Sequence, residues 1–174
     1  MNWDNLLADL ESRFDAERRA DLAAEAAELA EAEIAGLHLA DRLRGAVGRT
    51  VHLRTRGGTG VDGVVSRAEQ TFVLLDEGDG LQSLVPLHAI ALASPLPGPA
   101  PATTGRRPSI QALLRQLARA GTQVRVVFAA GEVTGRLARV GADYIDVVRD
   151  GAASVRAPGA VTIALSTIEV VRSR

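Results

Sequence analysis

Few side chains in this sequence could bind a metal or act as a nucleophile. His38, His52 and His88 are the only histidines, they show no HxH or HExxH spacing, and there is no Cys to complete a zinc site. The acidic turn at 76–80 lacks the later ligands of an EF-hand calcium loop. The glycine-rich turn at 57–60 has no following Lys, which excludes a P-loop. With no G-x-S-x-G motif or Ser/His/Asp set, we expect no enzyme activity, catalytic residue, metal, cofactor or small-molecule substrate.

Arginine is the remaining candidate for chemistry, because its planar guanidinium binds phosphates and carboxylates. All 20 basic residues are Arg. Strand alternation predicts that Arg54 and Arg56 point outward in one strand, Arg125 in a second and Arg136 in a third. Such a row could follow a phosphate backbone. It could equally be a solvated strand face that opposes aggregation.

Length and composition indicate a small globular protein. The chain has 174 residues, of which 47% are hydrophobic and 24% charged, which suits one or two small domains. No apolar run approaches the roughly 18 residues of a membrane span. The acidic N-terminus does not have the form of a signal peptide, so we expect a cytoplasmic protein with no membrane partner.

The first 36 residues are predicted to form an acidic helical arm. They hold ten acidic and three basic side chains, a net charge of −7, and the remainder of the chain carries +6. Trp3, Leu7, Leu10 and Phe14 recur at helical spacing, and we interpret them as the contact side of the arm. The arm could fold back onto the basic remainder or recruit a separate basic partner. A plain solvated helix is the third interpretation.

The rest of the chain reads as an internal repeat. Residues 37–94 and 109–174 each begin with a short amphipathic helix and continue with about five short strands, and the Pro-rich residues 95–108 form a linker. Gly63 and Gly135 occupy matching positions. Nine residues after each comes an aromatic residue, Phe72 or Tyr144. A five-stranded antiparallel sheet of this size hides its edges by closing into a barrel. The predicted fold class is therefore α+β: an N-terminal acidic helix followed by two tandem five-stranded small β-barrels, each preceded by a short helix.

At these residues each repeat resembles the Sm-like family, the group of small SH3-like barrels that includes Sm, LSm and bacterial Hfq proteins. Apolar residues follow each repeat glycine at the family's spacing, ending at Phe72 and Tyr144. The stretch at 69–75 is similar to the Hfq sequence Asp-Gln-Phe-Val-Ile-Leu-Leu, and 88–90 is similar to its His-Ala-Ile. The resemblance implies assembly through edge strands, and an RNA-contacting surface in which Gln70 and His88 take part with Phe72.

The sequence also departs from the family at its RNA pocket. The Asn that follows the methionine-like position is replaced by Val73 and Ile145, and the Arg-Gly of the second motif is replaced by apolar pairs. A branched hydrocarbon cannot form a hydrogen bond with a base edge. We therefore expect a non-catalytic binding and assembly module, acting through protein–protein contacts of the arm and the barrel edges, as a homo-oligomer or with a protein partner.

The alternative is a regulatory protein that binds RNA or single-stranded DNA. It depends on the basic remainder of the chain and on candidate surface residues in both repeats. These are Arg54, Arg56, Gln70, Phe72, His88, Arg125, Arg136 and Tyr144.

Overall fold

The computed structural model describes residues 3–101, 107–149 and 159–174. The chain divides into two compact units, Met1–Leu37 and His38–Arg174. None of the described helices is both long enough and apolar enough to cross a membrane.

The first unit is dominated by a single helix, α1, which spans Trp3–Ala35. Its sequence is rich in Ala, Leu, Glu and Arg, the residues with the highest helix propensity, and it contains no Gly or Pro before Gly36. All of its described side chains are exposed. Helix α1 therefore lacks the buried face that stabilises most helices in globular proteins.

The second unit contains two short helices and ten strands. Helix α2 spans Leu39–Gly45 and precedes the first five strands, and α3 spans Ile110–Ala120 and precedes the last five. In the first half the strands are β1 Thr50–Thr55, β2 Gly60–Ala68, β3 Phe72–Gly78, β4 Leu81–Pro86 and β5 Ile90–Ser94. In the second half they are β6 Gln123–Phe128, β7 Gly131–Val140, β8 Tyr144–Arg149, β9 Ala160–Ala164 and β10 Ile168–Ser173.

The prediction of two closed five-stranded barrels is wrong. All ten strands belong to one open antiparallel sheet, in the order β5-β1-β2-β3-β4-β10-β6-β7-β8-β9. Within its own half, β4 pairs with β3 and β10 pairs with β6. The physical reason is that the other edges of β4 and β10, which barrel closure would pair with β5 and β9 respectively, pair with each other instead, with Leu84 opposite Val171 and Ser83 opposite Arg172. The α+β class and the long N-terminal helix are present, but the sheet joins the two predicted barrel domains.

The sheet nevertheless contains the same arrangement twice. The order β5-β1-β2-β3-β4 is followed by β10-β6-β7-β8-β9, so each half places its strands alike. The registers also agree, because Val51 pairs with Gly63 as Val124 pairs with Gly135. Strands β5 and β9 form the two open edges of the sheet.

Two apolar cores stabilise the sheet, and each receives side chains from the other half. Phe72 and Leu84 of the first half are buried in the core of the second half, among residues such as Leu114 and Ile145. Val170 of the second half is buried in the core of the first half. The two halves therefore depend on each other for complete burial.

The described part of the Pro-rich linker packs against α2. The backbone N–H of Ala100 donates to the carbonyl oxygen of Asp41 at 2.9 Å, and Arg42 donates to that of Leu96 at 2.9 Å. Linker residues 102–106 lie outside the described part of the chain. Helix α3 then begins at its N-cap Ser109, whose hydroxyl accepts the N–H of Ala112, and ends at Gly121 in the left-handed region.

Candidate interaction surfaces

The apolar side chains of α1 form the most exposed hydrophobic surface among the described residues. Leu7 is 56% exposed and Phe14 is 62% exposed, with Leu10 beside them at 41%. Trp3 is the first residue of the helix, and its side chain lies outside the described part of the structure. Farther along α1, Leu22, Leu29 and Ile34 are also exposed. Leu7, Leu10 and Phe14 share one side of the helix, and a contiguous exposed apolar patch on a globular protein commonly marks a binding site.

Acidic side chains surround these apolar residues. All ten acids of the first 36 residues lie within α1, together with three arginines. Only one ion pair is recorded among its described side chains, between Arg13 and Asp9 at 2.8 Å. Most carboxylates of α1 therefore remain available to a basic partner.

Two arginines lie at the C-terminal end of β1, Arg54 within the strand and Arg56 in the turn that follows it. Arg54 and Arg56 are exposed, and neither has a hydrogen bond or ion pair from its side chain to the described residues. Their neighbour His52 is occupied, because its Nδ1 lies 2.7 Å from the Asp62 carboxylate. A depression of about 280 Å³ lies beside these residues, and it is lined by parts of β1, β2 and β5, including Leu92.

The structure brings the segments that carry Gln70 and His88 together. The N–H of Leu87 donates to the carbonyl oxygen of Thr71 at 2.9 Å, and the N–H of Arg56 donates to that of Ala89 at 2.8 Å. Gln70 and His88 are both exposed. The side-chain oxygen of Gln70 already accepts a hydrogen bond from Arg107 at 2.8 Å.

The two aromatic residues of the repeat have different environments. Phe72 is 1% exposed and lies in the core of the second half, so its ring has no face on which a base could stack. This corrects the prediction of Phe72 as a surface residue, since the junction of the two halves covers it. Tyr144, at the matching position, is 38% exposed.

The two candidate arginines of the second half are both exposed, but they differ in their side-chain contacts. Arg125 is exposed, but its Nε donates to the Glu132 carboxylate at 2.9 Å. Arg136 lies on the same exposed face of the neighbouring strand and has no side-chain partner among the described residues. Arg136 lies on β7, six places from β1 in the strand order, so it does not form one continuous basic surface with Arg54 and Arg56.

Sequence reasoning missed a polar cluster between the two halves. The Glu169 side chain of β10 is buried, and it accepts hydrogen bonds from the hydroxyls of Thr55 at 2.8 Å and Thr59 at 3.2 Å. Near it, Arg172 donates to Glu77 at 2.8 Å. The residues of each pair lie about 100 positions apart in the chain, so no local pattern could have revealed them.

Comparisons with known proteins add no assignment. No family model matches this sequence, and a search of curated proteins finds no match either. Among the described residues, no group of three or more His, Cys, Asp or Glu side chains is placed to hold a metal ion. The resemblance to the Sm-like family therefore stays a prediction.

Proposed function

We propose that this protein is a non-catalytic binding module that recognises another protein through α1. The observation that carries the proposal is the exposure of Leu7, Phe14 and the other large apolar side chains of α1 in a helix of net charge −7. Leu7, Leu10 and Phe14 recur at helical spacing and share one side of the N-terminal part of α1, and a helix commonly binds by laying such side chains into a groove. The negative charge favours a groove bordered by Lys and Arg, because complementary charge accelerates and orients association. Self-association of this chain is a separate expectation that the proposal does not require.

The test compares protein capture from a native extract by the full chain and by a double variant, Leu7→Ser/Phe14→Ser. A control variant, Ala20→Ser/Ala24→Ser, makes the same type of change at small exposed positions of the same helix. We expect one or more basic proteins to be retained by the wild type and the control, and lost from the Leu7/Phe14 variant.

Salt provides the second arm of this experiment. Added salt screens exposed charges, so capture should weaken as ionic strength rises. Circular dichroism should show equal helix content in all three proteins. Equal capture by all three, or no specific capture by the wild type, would refute the proposal.

The second candidate is a nucleic-acid-binding protein, favoured by the unpartnered side chains of Arg54 and Arg56. Its support is narrower than expected, because Phe72 is buried and Arg125 is paired with Glu132. Absorbance at 260 and 280 nm of protein purified at low salt tests it directly, since the chain has one Trp and one Tyr. Co-purifying nucleic acid that is lost from Arg54→Glu/Arg56→Glu would favour this candidate. A clean protein spectrum would exclude tight binding under those conditions.

A further inference from the structure

The β4–β10 junction shows which side chains join one repeat to the next. On β3 and β4, the apolar set Phe72, Leu74 and Leu84 packs against the core of the second half. From the other direction, Val127 and Val170 pack against the core of the first half. Every side chain in this exchange is a hydrocarbon.

The pairing register identifies the counterparts of the apolar set at the β9 end of the sheet. Strand pairing places Leu74 opposite Leu84, and it places Asp146 opposite Thr162 in the second half. The apolar set therefore corresponds in order to Tyr144, Asp146 and Thr162. Two leucines of the junction are thus replaced at the open end by an acid and a hydroxyl residue.

The same comparison applies to the β5 end. Val127 lies opposite Val170 at the junction, and Arg54 lies opposite Leu92 at the open end. The counterpart of Val127 is thus an exposed guanidinium. Leu92 is 54% exposed, whereas Val170 is fully buried.

Covering Asp146 and Thr162 with a second copy of the chain would cost free energy. The Asp146 carboxylate is nearly buried, and it accepts a hydrogen bond from the Thr162 hydroxyl at 2.6 Å. Consider a second copy whose β5 pairs with β9 in the register that joins β10 to β4. Its Ala93 and Leu53, the counterparts of Val171 and Val126, would then lie beside Asp146 and Thr162. Thr162 is exposed, so a second copy would remove its hydroxyl and the last solvent contact of the Asp146 carboxylate from water. Neither Leu53 nor Ala93 has a polar side chain that could replace the lost water.

The ion pair of the junction also has no counterpart at the open ends. Arg172 contacts Glu77 across the junction at 2.8 Å. If β5 of one copy paired with β9 of another in the same register, Ser94 would take the position of Arg172 and Arg149 would take the position of Glu77. That contact would therefore lack the attraction that accompanies β4–β10 pairing.

We propose that Asp146, Thr162 and Arg54 restrict edge pairing to the β4–β10 junction and exclude a second copy of this chain from the open ends. One chain then forms a complete sheet. Any self-association of the protein uses surfaces other than β5 and β9.

The experiment restores the leucines of the junction. In Asp146→Leu/Thr162→Leu we expect the mass from light scattering to rise with concentration above that of the wild type, in steps that are multiples of the 18.2 kDa chain mass. The control is Asp143→Leu/Thr134→Leu, which adds two leucines at exposed positions off the edge. If the double variant does not fold, the single variant Thr162→Leu replaces it, because Thr162 is exposed. We expect a smaller rise in mass for this single variant.

Disulfide trapping locates the contact. The chain has no Cys, so Ser94→Cys/Val161→Cys reports pairing of β5 with β9 of another copy. We expect no disulfide-linked multimers in the wild-type background and a ladder of them in the leucine background. A ladder in the wild-type background would overturn the proposal. Leucine variants that fold but neither gain mass nor cross-link would overturn it as well.

Discussion

At the scale of single residues, Gly63 and Gly135 show how the repeat is encoded. A Cβ added to Gly63 would lie 2.5 Å from the carbonyl oxygen of Asp76, and one added to Gly135 would collide with the carbonyl oxygen of Val148. Both contacts are with the backbone of the neighbouring strand. The glycines are therefore required by the close approach of two strands, and this requirement occurs at the same point of each half.

We expect Gly63→Ala to lower the free energy of unfolding by about 1–3 kcal/mol, the usual cost of overpacking. Gly60→Ala, on the same strand, is the control, because a Cβ there has no heavy atom within 4 Å. Denaturant unfolding of both variants measures the difference. Equal stabilities of the two variants would show that β2 and β3 can move apart to accept the added methyl group at no cost in free energy.

At the scale of elements, α2 shows how a short helix is held at its start. The N–H of His38 donates to the Asp41 carboxylate at 2.7 Å, and Arg44 pairs with the same carboxylate. The hydrogen bond from the His38 backbone, aided by Arg44, lowers the pKa of Asp41 from its usual value of 3.8. The carboxylate is therefore favoured in the folded state.

The lowered pKa of Asp41 predicts a specific dependence on pH. Its stabilising contribution is fully present above pH 3.8 and is lost as the pH falls through the lower pKa of the folded state. Asp41→Asn should lower stability at neutral pH, and the gap to the wild type should narrow in acid. Urea unfolding from neutral pH to about pH 3 measures this gap. A gap that does not change with pH would show that Asp41 contributes no proton-linked stability.

At the scale of the whole sheet unit, the two halves are joined by strand pairing, shared cores and buried polar contacts. Phe72 contributes to the core of the other half, and Glu169 is held by Thr55 and Thr59 across the junction. Neither half can separate without exposing these groups. The unit His38–Arg174 should therefore unfold in one transition.

Phe72→Ala tests this coupling, and Tyr144→Ala, at the matching position of the second half, is its control. We expect Phe72→Ala to cost about 3–5 kcal/mol, as for other buried aromatic residues, and to shift a single transition for the whole sheet. Tyr144→Ala should cost much less, because Tyr144 is 38% exposed. Scanning calorimetry measures both effects. Two separated transitions in Phe72→Ala would show that the halves fold independently.

The sequence by itself determined the local features of this protein. Helical spacing and charge predicted the long acidic helix, and matched glycines and aromatic residues revealed two related sets of strands. The tertiary structure decided how the strands combine. Closing each half and joining the halves satisfy the same backbone hydrogen bonds, and the apolar residues of β4 and β10 can be buried in either arrangement. Only the three-dimensional pairing shows that Phe72 is covered by the other half, and only it places Asp146 and Thr162 where the junction has leucines.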